Sequence, residues 1–151
     1  MLLEFENGTE VQHNLCASMI EFVIDKLMPR LKDKLYITIE FEQGLYENYF
    51  INGDCVVDGE DFRPRDFIIR LDANISNVEM LTTVAHEMVH VKQMARDELR
   101  QYSRIKGHRF NGLFISDETE YWDRPWEIEA HGREQGLLRQ WIEHNKVLDI
   151  A

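Results

Sequence analysis

Cysteine is scarce in this sequence: only Cys16 and Cys55 are present, both in apolar surroundings. Two cysteines cannot build a disulfide framework, so both are expected to be free thiols. No apolar stretch approaches the roughly 20 residues that a membrane-spanning helix needs. The first residues, MLLEFENGTE, are acidic and lack the basic and apolar segments of a secretory signal. These absences predict a soluble, cytoplasmic protein with no membrane partner.

Basic residues are also in short supply, with 17 Lys and Arg against 28 Asp and Glu and a net charge of −11 at pH 7. A protein that grips nucleic acid needs a basic surface, so this charge argues against direct binding to nucleic acid. Hydrophobic residues at 44% and charged residues at 30% are typical of a soluble globular protein. The length of 151 residues predicts one domain over 1–151.

The first half of the chain shows one helical pattern and three strand patterns. Apolar residues at three-and-four spacing over 11–31 predict an N-terminal amphipathic helix. Alternating or continuous apolar residues over Leu35–Phe41, Cys55–Val57 and Phe67–Leu71 predict the three strands of a small sheet. The last of these strands is expected at the edge of the sheet, where it could pair with an extended substrate.

The second half contains two further helical patterns. A helix is expected to begin at Ser76 or Asn77 and to run to about Leu99. The following segment, as far as Ser116, contains no acid and is expected to be an irregular loop. Pro125 suits the first turn of a final helix. The order helix, three strands, helix, loop, helix predicts an α+β fold.

Residues 86–90 read His-Glu-Met-Val-His, and this HExxH pattern falls within the second predicted helix. Positions i and i+4 of a helix share one face, so the imidazoles of His86 and His90 can reach one metal ion. Glu87 is rotated about 100° from His86 and can act as general base on a zinc-activated water without binding the metal. Gln93 and Asp97 continue the ligand face, and Asp97 could orient one of the histidines or simply be solvated at the end of the helix. The alternative is a pair of structural histidines satisfied by their neighbours.

A third ligand is expected from the final helix, which carries two carboxylates near its start, Glu127 and Glu129. Stepping 100° per residue around that helix places Glu127 nearer the centre of the apolar stripe than Glu129. Glu127 is therefore the preferred ligand, and Glu129 stays an alternative. The apolar stripe consists of Trp126, Ala130, Leu137 and Trp141.

With these residues, the chain resembles the small zinc metallopeptidases of the zincin clan whose third ligand is a glutamate. The pattern Arg124-x-x-Glu127-x-x-Ala130 resembles the Arg-x-x-Glu-x-x-Ala-Asp signature of Ste24-like peptidases, and it is similar to the Glu-x-Glu-Ala-Asn segment of ImmA/IrrE-type peptidases. Position 131 is His in this chain, where those families have Asp or Asn. The resemblance spans roughly residues 67–141. It implies a zincin-like core, Glu127 as the zinc ligand and hydrolysis of peptide bonds.

A second resemblance concerns the basic segment before the final helix. Gly107-His108-Arg109-Phe110 is similar to the Gly-His-Gly-x-x-Phe motif of SprT-like proteases, in which the histidine is the third ligand. His108 is therefore a further alternative to Glu127.

A zinc peptidase also needs a group that stabilises the developing oxyanion, and Tyr102 and Tyr121 are the candidate donors.

These patterns leave three classes of function open. The favoured one is a zinc-dependent peptidase acting on a protein or peptide substrate. The second is a regulatory or DNA-associated protease of SprT-like or ImmA-like type. The third is a non-enzymatic protein with a zincin fold, against which Glu87 argues because a structural zinc site needs no base beside its ligand.

Overall fold

The computed structural model describes residues 1–59, 62–102, 104–147, 149 and 150. Helices and strands are mixed along the chain, and the strands form two small sheets. Short 3-10 helices lie at Pro29–Lys34 and Tyr121–Asp123. The α-helices and strands are β1 (Leu2–Glu6), α1 (Glu10–Leu27), β2 (Tyr36–Glu42), α2 (Leu45–Tyr49), β3 (Gly53–Val57), β4 (Asp66–Asp72), α3 (Asn77–Ala95), β5 (Leu99–Tyr102), β6 (Gly107–Phe110), β7 (Leu113–Ser116) and α4 (Pro125–Asn145).

The N-terminal helix is present but shorter than its apolar pattern predicts. Helix α1 ends at Leu27, and Met28 leaves the helical conformation with φ −150° and ψ 50°. The residue before a proline is disfavoured in a helix, and Pro29 follows directly. The later apolar positions of the pattern, around Leu31, belong to the 3-10 helix instead.

The first sheet has four strands in the order β1-β2-β4-β3. Strands β1, β2 and β4 are parallel, and β3 runs antiparallel to β4. The three predicted strands are confirmed, and β1 is an addition. The expectation that Phe67–Leu71 lies at the edge is wrong, because Ile69 has Ile39 opposite it on one side and Cys55 on the other. A strand that reads as a nearly continuous apolar run is typical of the interior of a parallel sheet.

Helix α3 is the central helix of the structure. It packs against α1, α4 and the strands β3 and β4, and its side chains are buried without interruption from Val84 to Gln93. The sheet supplies fully buried partners such as Ile37, Phe67 and Ile69. Because polar groups are costly to bury without partners, the polar side chains on this helix must be satisfied by neighbouring residues or by a ligand.

The segment Leu99–Ser116 is not irregular, contrary to the sequence prediction. Strands β5, β6 and β7 form an antiparallel sheet in that order. Asn111 and Gly112 connect β6 to β7 with φ values of 49° and 84°. Positive φ at both central residues is the geometry of a tight hairpin turn, and Asn-Gly is the pair that adopts it most readily.

The cysteines and the helices bear on two of the sequence predictions. Cys16 is buried and Cys55 is half-buried, and both are free thiols. None of the helices in the described part of the chain is long and apolar enough to cross a bilayer.

Candidate metal centre

The start of α3 is fixed by a reciprocal cap, which sets the rotation of the HExxH residues about the helix axis. The Ser76 hydroxyl accepts a hydrogen bond from the backbone N–H of Glu79, at 3.2 Å. The Glu79 carboxylate accepts one from the backbone N–H of Ser76, also at 3.2 Å. This capping box confirms Ser76 as the N-cap, and it places the two histidines ten and fourteen residues further along the chain.

The three preferred ligand residues converge in the structure. The Nε2 atoms of His86 and His90 lie 3.1 Å apart. Glu127 places Oε2 3.2 Å from His86 Nε2 and Oε1 3.2 Å from His90 Nε2. All three residues are buried. Ligand bonds of about 2.0–2.1 Å in a tetrahedral zinc site imply ligand atoms roughly 3.3 Å apart. His86, His90 and Glu127 therefore form a candidate metal-binding group of suitable size.

Each histidine is held through its other ring nitrogen. His86 Nδ1 lies 2.7 Å from the Glu134 carboxylate. His90 Nδ1 lies 2.8 Å from Oε1 of Gln93. Both partner atoms are hydrogen-bond acceptors, so both Nδ1 atoms act as donors and each Nε2 faces Glu127, to which it donates when protonated. When it is not protonated, each Nε2 offers a lone pair to a metal ion. Three electron-pair donors meeting at one point are the arrangement that a cation satisfies.

The electrostatics of the group also favour a positive charge. Burial alone would lower the pKa of His86, but the hydrogen bond with Glu127 and the charge of Glu87 raise it to about 9. Burial alone would raise the pKa of Glu127, but its hydrogen bonds with His86 and His90 hold that pKa well below the usual range. The carboxylate therefore stays ionised, and the histidines hold a proton or, in its place, a metal ion.

Glu129 is engaged elsewhere and does not join the group. Its carboxylate accepts hydrogen bonds from Lys92 and Gln93, both at 2.8 Å. The same Gln93 amide donates to the Trp126 carbonyl at 3.0 Å. Gln93 therefore connects His90 on α3 to the first turn of α4. The choice of Glu127 over Glu129 agrees with this geometry, and the signal was the position of Glu127 relative to the apolar stripe.

Two other sequence candidates are occupied away from the group. His108 lies in β6, where its ring stacks on Trp126 with centroids 4.7 Å apart and its Nδ1 lies 3.1 Å from Asp117. Asp97 forms ion pairs with Arg100 and Arg109, at 2.8 and 3.3 Å. The structure therefore gives Gln93, rather than Asp97, as the residue that orients a ligand histidine.

Glu87 lies beside the group on α3 and lines a cleft of about 640 Å³. Its carboxyl is buried, and burial is the main cause that raises its pKa to about 7, with the charges of His90 and His86 partly opposing the rise. A carboxyl group with a pKa near neutrality is well matched to exchange protons at that pH. The geometry is compatible with the predicted role of Glu87 as general base.

Tyr121 comes to the same place, whereas Tyr102 lies in β5 and does not line the cleft. The Tyr121 hydroxyl donates to Glu127 Oε2 at 2.9 Å and lies 2.9 Å from His131 Nε2. Burial and the hydrogen bond to Glu127 raise the pKa of this hydroxyl, so it remains protonated and able to donate. Of the two tyrosine candidates, Tyr121 is the one beside the metal group.

Glu134 is the residue that sequence reasoning missed. It lies on the same face of α4 as Glu127, two turns later, and the signal available was the spacing 127, 131 and 134. His131 is 3.3 Å from the Glu134 carboxylate, so these two and His86 form a second group of converging side chains. Glu134 is the residue that accepts the hydrogen bond of His86 Nδ1 in this structure.

Replacing Glu134 with alanine is expected to weaken zinc binding about 10- to 100-fold without unfolding the protein. The variant removes the acceptor that fixes the ring of His86, while Glu134 itself is partly exposed and contributes little to the core. Competition with a chelator of known affinity measures the change. Glu143→Ala is the matched control, because Glu143 is an exposed carboxylate on the same helix. Equal zinc affinity in both variants would contradict the assigned role.

No family model, curated protein or solved structure matches this chain. The geometry of the site is therefore the evidence for the function of this protein.

Proposed function

We propose that this protein is a zinc-dependent peptidase with a zincin-like core. The observation that supports the proposal is the meeting of His86, His90 and Glu127 in one group, with His86 and the buried Glu87 lining a cleft. Two imidazoles and one carboxylate are a ligand set used by catalytic zinc in peptidases. When bound, Zn²⁺ supplies Lewis acidity, which polarises a carbonyl and lowers the pKa of water to about 7.

The remaining roles belong to the side chains of the chain. Glu87 accepts a proton from the attacking water and can return it to the leaving amine. Tyr121 supplies a protonated hydroxyl next to the ligands, where negative charge develops on the carbonyl oxygen of the substrate. Glu134 and Gln93 keep the imidazole rings of His86 and His90 in the orientation that binding requires.

The outer strand β3 takes the role that the sequence assigned to Phe67–Leu71. Hydrogen bonds from Asp58 N to Asp66 O and from Asp72 N to Asn52 O fix its register on β4. Alternate residues of the strand therefore direct their backbone groups away from the sheet. Gly53 at the start of β3 also lines the cleft that contains Glu87. An extended substrate can add to this edge and pass the ligand group.

The proposal is tested with a mixture of peptides from denatured proteins and mass spectrometry of the new termini. Zinc-loaded protein is expected to generate new termini, to stop after treatment with a chelator and to resume when Zn²⁺ is added back. A protein that carries one zinc ion per chain and cleaves no member of the mixture would contradict the peptidase proposal and favour the non-enzymatic alternative.

A further inference from the structure

Large apolar side chains stand exposed on both sides of the cleft. Phe50, at the end of α2, is 80% exposed, and Val78 on α3 is 46% exposed. Trp122, in the 3-10 helix before α4, is 69% exposed, and its ring lies tilted against His131 with ring centroids 4.7 Å apart. All three line the cleft together with the catalytic candidates. Exposed aromatic residues that flank a concave site are typical of surfaces that bind a partner.

The backbone at Phe50 adopts an unusual conformation. Phe50 follows the last residue of α2 with φ 58°, in the left-handed region. Glycine or asparagine is usual at such a position, because the side chain of a bulky residue is crowded there. The backbone N–H of Phe50 closes α2 by donating to the Tyr46 carbonyl at 2.9 Å, and the Phe50 ring lies edge-on to the Tyr46 ring with centroids 6.3 Å apart. Capping explains the backbone conformation, and the 80% exposure of the residue leaves its ring accessible to a ligand in the cleft.

Apart from the histidines, the charged side chains that line the cleft are all negative. Its described lining includes the carboxylates Glu79, Glu87 and Glu134 and contains no Lys or Arg. Residues 50–53, which form the β3 side of the cleft, carry no charged side chain. A cleft whose fixed charges are carboxylates attracts cationic groups and repels anionic ones.

Resting on the proposed function, we infer that the substrate is a peptide segment that combines bulky apolar side chains with Lys or Arg, and that acidic segments are rejected. The apolar side chains pack between Phe50 and Trp122, while the basic side chains face the carboxylates along the cleft. The extended backbone of the segment follows β3. This specificity depends on residues outside the ligand group.

Three labelled peptides of equal length test the inference by fluorescence anisotropy with zinc-loaded Glu87→Gln protein, which can bind substrate without cleaving it. The first peptide combines Phe and Leu with Lys and Arg. The second keeps the apolar residues but has Glu and Asp, and the third keeps the basic residues but has Ala. The first is expected to bind about tenfold more tightly than either of the others at low salt.

Variants of the Glu87→Gln protein show which residues of the cleft contribute to peptide binding. Phe50→Ala and Trp122→Ala are each expected to weaken binding of the first peptide about tenfold. Phe62→Ala is the matched control, because Phe62 is 63% exposed but does not line the cleft. Glu79→Gln keeps a capping residue at the start of α3 and is expected to reduce the preference for basic over acidic peptides. Its control is Glu10→Gln, an acid in the first turn of α1.

The results separate this inference from the proposed function. Equal binding of the three peptides, or equal affinity of the Phe50, Trp122 and Phe62 variants, would overturn the inferred specificity, even if wild-type protein cleaves peptides. Selective binding of the first peptide without any cleavage by wild-type protein would support the specificity and contradict the peptidase activity.

Discussion

Replacing His86 with alanine is expected to leave the purified protein with almost no zinc, whereas wild-type protein should carry about one zinc ion per chain. The substitution removes one of two imidazole nitrogens that lie 3.1 Å apart and are each 3.2 Å from an oxygen of Glu127, and the two remaining ligands would hold zinc poorly. Metal analysis after dialysis measures the occupancy. His144→Ala is the control, because His144 is an exposed histidine near the end of α4.

The same measurement tests the third ligand. Glu127→Ala is expected to lose zinc as His86→Ala does, while Glu129→Ala should retain it, because Glu129 contacts Lys92 and Gln93 rather than the histidines. Full occupancy in the His86 variant would contradict the metal centre as a whole. Full occupancy in the Glu127 variant alone would transfer the ligand role to another residue.

Replacing Glu87 with glutamine is expected to reduce peptide hydrolysis by about 10²- to 10⁴-fold while zinc content and fold are retained. Glutamine has nearly the same shape but cannot accept a proton, and Glu87 contributes no atom to the ligand group. Because the Glu87 carboxyl is buried, a neutral amide at this position is not expected to destabilise the protein. The measurements are kcat/KM on a cleaved peptide, zinc content and thermal unfolding.

A Glu87→Gln protein without zinc would show that Glu87 is a ligand. A variant with an unchanged rate would show that another group takes the proton. Glu143→Gln serves as the control for the loss of one carboxylate, since Glu143 is exposed on α4 and does not line the cleft.

The sequence predicts the metal group because its signals are local. His86 and His90 are joined by the geometry of a single helix, and the apolar stripe of α4 orients Glu127 towards α3. The spacing of 127, 131 and 134 places Glu134 on the face of Glu127, but its contact with His86 joins two helices and arises only after they have packed. Gln93 lies three residues after His90 on the same helix, and its contact with Trp126 is the one that crosses between elements.

The arrangement of the two sheets could be predicted from the sequence only in part. The apolar run at Phe67–Leu71 correctly predicts a strand, but the order of strands in the chain does not give their order in the sheet. Strand β1 is an edge strand of five residues, and Leu2, which is apolar but 65% exposed, breaks the alternation that would indicate a strand. The second sheet does have a local signal, the Asn111–Gly112 pair, which is typical of a hairpin turn.

The convergence of α3 and α4 on one point has a consequence for how the chain is held together. His90 and Glu127 are 37 positions apart, and β5, β6 and β7 all lie between them. An ion held by both helices would act as a cross-link that closes this loop, and in the chain-entropy model a cross-link of this span removes about 4 kcal/mol of freedom from the unfolded state. The second sheet would then be tethered at both ends to the central helix. Release of the ion would remove this link between α3 and α4, to which the first sheet contributes none of the three residues of the group.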